Sequence, residues 1–509
     1  MGRPYVPPGV TITEAVSPQV VPLLASSAEI VLAGLSLGYQ TRTDQVVLLE
    51  ESGKGVPVKL PFLASVEGSK LIEVLAVYNA INPAEGENEG KGYKATTYKV
   101  TVGEGTIELI AGKGIEGGTL VNVTYKYIPG DYWNPVRLFT FNEVQNRFGN
   151  ALENGTITSP LSLAAQKALE GGAGSVILQP LFMTPSHENP IFNHQGFITN
   201  AKEPTAEENA EAGTWTATFQ ALQVVEAIDL ITPVIGQSQE HVTDGSVAEI
   251  EKVVLGFEQK RLAEQQYVYG VFGEDSTTGD ALASTIRSHA QGIRAYANGT
   301  LSSQNLLINT GSFNISLPST GELAVGAQYV AASIAGQLAG SPVARALTRK
   351  GVVGFTKVND IRTPEQKNVD AGEGLFVVEQ VAGGFIRCRH AISIDNSHGA
   401  ARSEVSVVRA KFLMVESVKE TLENQVIGQI IADANSPIIV RSAIVGVLSA
   451  LQSAGDLVDF QTPVVQLALL EPTTITASFS YRPAFTLNYI DIAFALDLSS
   501  NEVTLIEQT

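Results

Sequence analysis

The stretch SPLSLAAQKALEGGAGSVILQPL, residues 159–181, decides the fold class of this chain of 509 residues. Ser159 followed by Pro160 starts a helix, because a serine side chain caps the first turn and proline fits its first position. Gly171-Gly172 ends the helix, since glycine readily adopts the left-handed conformation at a helix end. The continuous apolar run from Ser175 to Leu181 then predicts a buried strand. A helix leading directly into a buried strand is typical of a sheet covered by helices.

The same alternation of helix and strand continues to about residue 320. Helical signals around 219–227, 246–257 and 282–293 alternate with strand signals at 229–235, 267–272 and 305–309. Such alternation implies right-handed crossovers and a largely parallel sheet with helices on its faces. The last third adds a hairpin around Gly383-Gly384, helices over 403–433 and 437–454, and a β-rich end.

Two other segments follow a different pattern. Between about 40 and 130 the apolar side chains alternate with a period of two, as in Val121 to Tyr127, which predicts a compact antiparallel β module. Near the N-terminus, Val10 and Ile12 belong to one short strand among prolines that block a helix. A single strand cannot bury itself, so this one needs a sheet edge in its own chain or in another.

We therefore predict an α/β (α+β) fold with a helix-covered mixed sheet core, terminal β arms and an inserted antiparallel β domain. The predicted units are an N-terminal arm (1–28), an inserted β-rich outer domain (29–135), an α/β domain (136–320), a C-terminal core domain (321–472) and a C-terminal β arm (473–509).

Composition excludes several classes of protein. Lys and Arg total 33 against 52 Asp and Glu, a net charge of −19, yet only 17% of residues are charged and 44% are hydrophobic. A disordered acidic chain is thereby excluded, and direct wrapping of nucleic acid is disfavoured because the surface repels phosphate. The single cysteine, Cys388, excludes an intramolecular disulfide and fits a reducing cytosol. The uncharged stretch 323–344 is interrupted by polar side chains and glycines, so we expect a buried helix there and no membrane insertion.

Motifs for catalysis or cofactor binding are weak. Gly112-x-Gly114-x-x-Gly117 matches a dinucleotide-binding string, but a strand and not a helix follows it. Cys388 and His390 share one face of a strand and could form a thiol–imidazole pair, although side chains two apart on a strand rarely bond directly. No carboxylate pair, metal-ligand spacing or nucleophile motif stands out. We therefore expect no enzyme, no cofactor and no metal.

Several motifs together resemble the contractile tail sheath proteins of myovirus-type bacteriophages. The opening Arg3-Pro-Tyr-Val-Pro-Pro-Gly-Val-Thr-Ile-Thr-Glu14 is similar to the proline-glycine start of that family. The segment from Phe139 to Gly149 resembles a family helix, and Gly171 to Leu178 resembles its glycine-rich approach to a core strand. Residues 385–389, the helices from Glu404 and the β end near Asp497 follow the order of the family's C-terminal core.

The resemblance implies a virion subunit that polymerises with itself as stacked hexameric rings around a tail tube. It also implies contraction that drives the tube through the host envelope, with the tail tube, baseplate and tail terminator proteins as partners and assembly in the host cytoplasm. Arms of neighbouring subunits would exchange strands, which gives a use to Val10, Ile12 and to the alternating residues Ile475, Ala477, Phe479 and Tyr481.

Charge distribution adds a hypothesis about the tube. Residues 387–419 carry six basic and three acidic side chains, while 202–264 carry four basic and twelve acidic ones. Ordinary solvated faces explain such a pattern equally well. If the chain is a sheath protein, our hypothesis is that the basic segment faces the tube through Arg402, Arg409, Lys411 and Lys419. The 40–130 module would then point outward. Two alternatives stay open: another virion protein, such as a tube or baseplate protein, or an α/β enzyme.

Overall fold

The structure is a computed structural model. It describes residues 28–36, 40–65, 69–80, 93, 96–101, 104–110, 113, 115–132, 134–181, 215–234, 249–264, 266–275, 280–297, 306–310, 312–317, 321–360, 362–396, 403–468, 471, 473–485, 493–497 and 502–506. The predicted N-terminal arm, including Val10 and Ile12, lies outside these residues.

Ten α-helices and 27 strands lie in the described part of the chain. The helices are α1 (Pro61–Ser65), α2 (Phe141–Phe148), α3 (Pro160–Gly171), α4 (Trp215–Ala221), α5 (Glu249–Ala263), α6 (Asp280–Ala297), α7 (Ala327–Ala339), α8 (Pro364–Gly372), α9 (Val405–Gln425) and α10 (Ser436–Ala454). A 3₁₀ turn, Leu222–Val224, follows α4.

The strands are β1 (Ile30–Gly34), β2 (Gln40–Val47), β3 (Leu49–Glu51), β4 (Lys54–Val56), β5 (Val58–Lys59), β6 (Lys70–Asn79), β7 (Tyr98–Thr101), β8 (Thr106–Leu109), β9 (Leu120–Ile128), β10 (Val136–Leu138), β11 (Leu152–Glu153), β12 (Thr156–Ile157), β13 (Val176–Pro180), β14 (Leu230–Val234), β15 (Tyr269–Asp275), β16 (Leu306–Thr310), β17 (Ser312–Leu317), β18 (Gly321–Val325), β19 (Lys357–Asn359), β20 (Phe376–Gln380), β21 (Ile386–Cys388), β22 (Leu457–Phe460), β23 (Val464–Leu467), β24 (Ile475–Ser478), β25 (Tyr481–Pro483), β26 (Ala493–Asp497) and β27 (Glu502–Ile506).

A mixed eight-stranded sheet in the order β10-β13-β1-β14-β15-β16-β20-β21 forms the centre of the fold. The six inner strands are parallel, and β10 and β21 run antiparallel at its two edges. Successive side chains of a strand point to opposite faces, so Ile30 and Leu32 enter one core while Val31 and Ala33 enter the other. Helices α3 and α7 supply side chains to the first core, and α5 and α6 supply the second. The mixed helix and sheet class is confirmed.

Helix α7 is buried along its whole length between α3 and the sheet. Its contact with α3 uses glycine: a Cβ atom at Gly336 would overlap the carbonyl oxygen of Ala168, and one at Gly171 would overlap that of Ser333. The predicted boundaries of α3 are confirmed, with Ser159 as N-cap and Gly172 in the left-handed region. The expectation of a buried helix in 323–344 is also confirmed.

A buried ion network joins α8 to α6. The Arg362 guanidinium bonds the carboxylates of Asp360 and Asp370 at 2.8 and 2.7 Å, and Arg287 of α6 reaches Asp370 at 2.8 Å. Burial alone would raise the pKa of Asp360, but the hydrogen bonds and charge of Arg362 outweigh burial and hold that pKa below its usual value. The network fixes the position of α8 beside the sheet.

Residues 40–128 form a β unit with its own core. Val121, Val123, Tyr125 and Tyr127 of β9 point inward and are buried, in agreement with the predicted alternation. β1, however, lies in the middle of the main sheet and not in this unit. In the eight-stranded sheet β16 pairs with β20. The predicted domain boundary at residue 320 therefore falls between two strands of one sheet.

Replacing Gly336 by alanine should lower the free energy of unfolding by about 2 kcal/mol or more, because the added methyl group overlaps the α3 backbone. Urea unfolding followed by circular dichroism measures the change. Gly256→Ala is the matched control, since open space surrounds that helical glycine. The control should raise stability by about 0.5–1 kcal/mol through helix propensity. Equal effects of the two substitutions would contradict the packing argument.

Arg362→Ala should lower the free energy of unfolding by about 3–5 kcal/mol at neutral pH, because two buried carboxylates lose their main cation. The pKa of Asp360 is depressed in the folded state, so this stability is present above the unfolded pKa and is lost as pH falls through the folded one. The difference in free energy of unfolding between this variant and the wild-type protein should therefore become smaller as the pH falls. Lys99→Ala, which breaks an exposed pair with Glu108, should cost about 1 kcal/mol or less.

Candidate functional site

The C-terminal part of the chain builds a layer of two helices and short strands on the core. α9 packs against α10, and β22 and β23 lie against α10. The buried stripe of α10 consists of Val440, Ile444, Leu448 and Leu451, at helical spacing. One face of α10 is therefore fixed to the core while its other faces remain available.

The predicted exchange strand 475–481 is two strands in the structure. β24 pairs antiparallel with β23, and β25 pairs with β22. Ile475 and Phe479 pack against the core, Tyr481 is buried and Ala477 is exposed. β24 therefore already has one partner within its own chain, β23, and its exchange between subunits stays a prediction.

The β23–β24 sheet has open edges. It contains only two strands, and no other strand in the described part of the chain pairs with either of them. The Ala468 amide donates to the Thr474 carbonyl at 2.9 Å. In an antiparallel pair, successive residues direct their amides alternately toward the partner strand and away from it, so this bond fixes which amides of β24 face β23. The amide of Thr476 consequently points to β23, whereas those of Ile475 and Ala477 point to the outer edge. Such an edge is a template for an added strand.

The first turn of α10 exposes two large apolar side chains, and the later exposed positions are small or polar. Ile438 and Ile439 are 59% and 43% exposed, and Arg441 is the only charged residue of the helix. By length and composition alone α10 could cross a membrane, and no other helix among the described residues could. Two neighbouring apolar side chains exposed in this way form a candidate interaction surface. We did not predict this surface from the sequence. Its signal in the sequence is the presence of a single charged residue among the 19 residues of α10.

Two of the four residues predicted to face the tube are not on the surface of the described part of the chain. Arg409 and Lys411 are buried. The Arg409 guanidinium donates to the carbonyls of Leu338 and Ser341 at the end of α7, and burial lowers its pKa to about 10. This arginine ties α9 to α7, where the helix C-terminus favours a cation. Arg402 lies outside the described residues.

The rest of the basic segment is largely neutralised. Arg387 and Arg389 both bond the Glu379 carboxylate, at 3.1 and 2.7 Å. Lys419 is half-buried in a groove lined by carboxylates. The net charge of 387–419 therefore does not measure an exposed positive surface, because most of its cations are paired or buried.

That groove concentrates negative charge between the C-terminal half of α9 and the start of β14. It has a volume of about 230 Å³, and its charged lining is Glu226, Asp229, Glu416, Lys419, Glu420 and Glu423. Burial raises the pKa of Asp229 to about 6 and that of Glu416 to about 7. The negative charge of Asp229 adds to the rise in the pKa of Glu416.

Cys388 and His390 have different surroundings in the structure, in line with the expectation that they do not bond directly. Cys388 is buried, and burial raises its pKa far above the usual value, so the side chain stays a thiol. His390 instead contacts the Glu404 carboxylate at 2.7 Å. Among the described residues, no group of three or more His, Cys, Asp or Glu side chains could hold a metal ion.

Comparison with known proteins points to contractile sheaths. The chain is 22% identical to the tail sheath protein of Mycobacterium phage Bxz1 over 439 residues, which cover 83% of this chain and 68% of that protein. No protein-family model matches the sequence.

Solved structures show the same likeness. The contracted helical sheath of the anti-feeding prophage has a TM-score of 0.52 and 14% identity, covering 97% of this chain and 100% of that one. The contracted PVC sheath complex of an extracellular contractile injection system has a TM-score of 0.51 and 11% identity, covering 98% and 100%. The resemblance to contractile tail sheath proteins is thereby confirmed: this chain is a homologue of a phage tail sheath protein and shares the sheath fold.

Proposed function

We propose that this chain is the structural subunit of the contractile tail sheath of a bacteriophage. It polymerises as stacked hexameric rings around the tail tube and contracts to drive the tube through the host envelope for genome ejection. The observation that carries the proposal is homology to a tail sheath protein over 83% of the chain. The match to a helical sheath over 97% of the chain supports it.

Strand exchange supplies the link between subunits. The N-terminal strand around Val10 and Ile12 of one copy adds to the open edge of β24 in a neighbour, where the Ala477 amide is unpaired within the hairpin. A third strand stabilises a two-stranded sheet that is marginal alone. Main-chain ladders persist while rigid bodies rotate around them, so the polymer shortens without losing its connections.

The exposed face of α10 is covered in the assembled tail. Ile438 and Ile439 are the centre of this contact, which removes apolar surface from water. The tail tube, baseplate and tail terminator proteins are the other partners in the virion, and the β unit of residues 40–128 points outward. Assembly takes place in the host cytoplasm, without membrane insertion and without direct contact with nucleic acid.

The role is structural and needs neither catalysis nor a cofactor. The one thiol of the chain is buried and protonated, and His390 is occupied by Glu404. A buried, protonated thiol is chemically inert, which is in keeping with a structural role.

The purified protein should form hollow tubules in negative-stain electron microscopy, and Ala477→Pro should abolish them. Proline removes the outward amide of β24 but none of the bonds to β23, so the subunit should fold with unchanged circular dichroism. Ala477→Val is the matched control, because it keeps the amide and should still polymerise.

Deletion of residues 1–14 should have the same effect as Ala477→Pro, since it removes the donated strand. Normal tubules from both variants would exclude strand exchange at β24. Dispersed globules from the wild-type protein would count against the sheath function itself.

A further inference from the structure

The loop between α7 and β19 carries unpaired positive charge. Residues 323–359 contain four basic side chains and no acidic one. The basic side chains are exposed, and none of them forms an ion pair with a described residue: Arg345, Arg349, Lys350 and Lys357. We call Arg345, Arg349 and Lys350 the basic loop. In a chain of net charge −19, an exposed cluster that forms no ion pair with a described acidic side chain is a candidate surface for an acidic partner.

The basic loop is held against the edge of the main sheet. The Arg349 amide donates to the Cys388 carbonyl at 2.9 Å, and the Cys388 amide donates to the Lys350 carbonyl at 2.9 Å. Gly351 forms a bridge with Arg387 in the same ladder. A loop fixed in this way loses little conformational entropy when it binds a partner.

Exposed apolar side chains lie next to these charges. Phe385 is 54% exposed and Val353 is 45% exposed. The Phe385 ring lies over Gly351, where an added Cβ would come within 2.9 Å of it. An apolar centre beside charged side chains is the usual anatomy of a protein–protein interface. The surface therefore fits a protein with an acidic face better than a nucleic acid.

The same chain offers that acidic face. Glu416, Glu420 and Glu423 are spaced four and three residues apart on α9, so they share one side of the helix, and Glu226 faces them across the groove. Glu420 and Glu423 are exposed, and the negative charge of Glu420 contributes to the raised pKa of Glu416, as expected for like charges four residues apart on a helix. Lys419 is the only cation in the lining, so an external cation relieves the repulsion.

We propose that the basic loop of one copy contacts the acidic groove of a neighbouring copy in the polymer. The proposal rests on the proposed sheath function. Because the two surfaces differ, the contact is heterologous, and a pair of copies still has one free basic loop and one free acidic groove. Such a contact propagates into a helical assembly, whereas a symmetric contact closes as a dimer.

A charge-swap experiment tests this contact. In one variant the basic loop is reversed by Arg345→Glu, Arg349→Glu and Lys350→Glu; in the other the groove is reversed by Glu226→Lys, Glu420→Lys and Glu423→Lys. Each variant alone should need a critical concentration at least about tenfold higher than wild type to form tubules at moderate salt, because like charges then meet. An equimolar mixture should polymerise near the wild-type concentration, since alternating copies restore opposite charges at every contact.

Controls separate charge position from total charge. Reversal of three exposed lysines in the β unit to glutamate changes the net charge by the same amount as the loop variant and should leave polymerisation unchanged: Lys54, Lys59 and Lys113. Circular dichroism verifies that all variants fold. Polymerisation of either variant at the wild-type concentration, or a mixture no better than its components, would overturn the contact. Binding of duplex DNA that only the loop variant loses, with normal assembly, would also overturn it.

Failure of the sheath function gives a different result. In that case the wild-type protein forms no tubules under any condition. Light scattering of the two variants then tests the loop–groove contact on its own. Greater association in their mixture than in either variant alone supports the contact, and equal scattering rejects it.

Discussion

The close packing of α7 against α3 is the constraint on which the rest of the structure depends. α7 is buried throughout, so its backbone must approach both the sheet and α3 with almost no side chain between them. Gly336 and Gly171 permit that approach. The end of α7 then receives the Arg409 guanidinium from α9, so the position of the C-terminal layer follows from the position of α7. A rigid centre of this kind lets a subunit move as one body in a lattice.

The surfaces that we propose for assembly lie outside this centre and differ from it in kind. The β23–β24 sheet is incomplete, with main-chain groups at open edges, and α10 leaves two isoleucines exposed. Both features would be faults in a monomeric protein, since open edges and apolar patches promote association. In a polymer they are the places where one subunit completes another. The fold thus separates a closely packed interior from a periphery with open strand edges and exposed apolar side chains.

Local sequence signals predicted the elements well where one residue type has one physical role. Ser159 and Pro160 mark the start of α3 and Gly172 marks its end, as expected. The period of two correctly predicted which side chains of β9 are buried. The basic patch failed because counting charges along a sequence ignores burial and pairing. Arg409 is a buried helix cap, a role that depends on residues about 70 positions away in the chain. Whether a cation is free depends on tertiary contacts, which no local pattern contains.

The two kinds of assembly contact differ in how they respond to movement. A main-chain ladder is directional and short in range, so it either persists intact or breaks as a unit. Attraction between charges acts over about 8–10 Å at physiological salt and tolerates changes of angle. A lattice that must rotate and slide while staying connected therefore benefits from both: strands that keep neighbours attached, and charges that can separate and meet again. In the proposed contact, the strength of attraction between the basic loop and the groove depends on the distance between subunits, so a change in subunit spacing weakens or strengthens it.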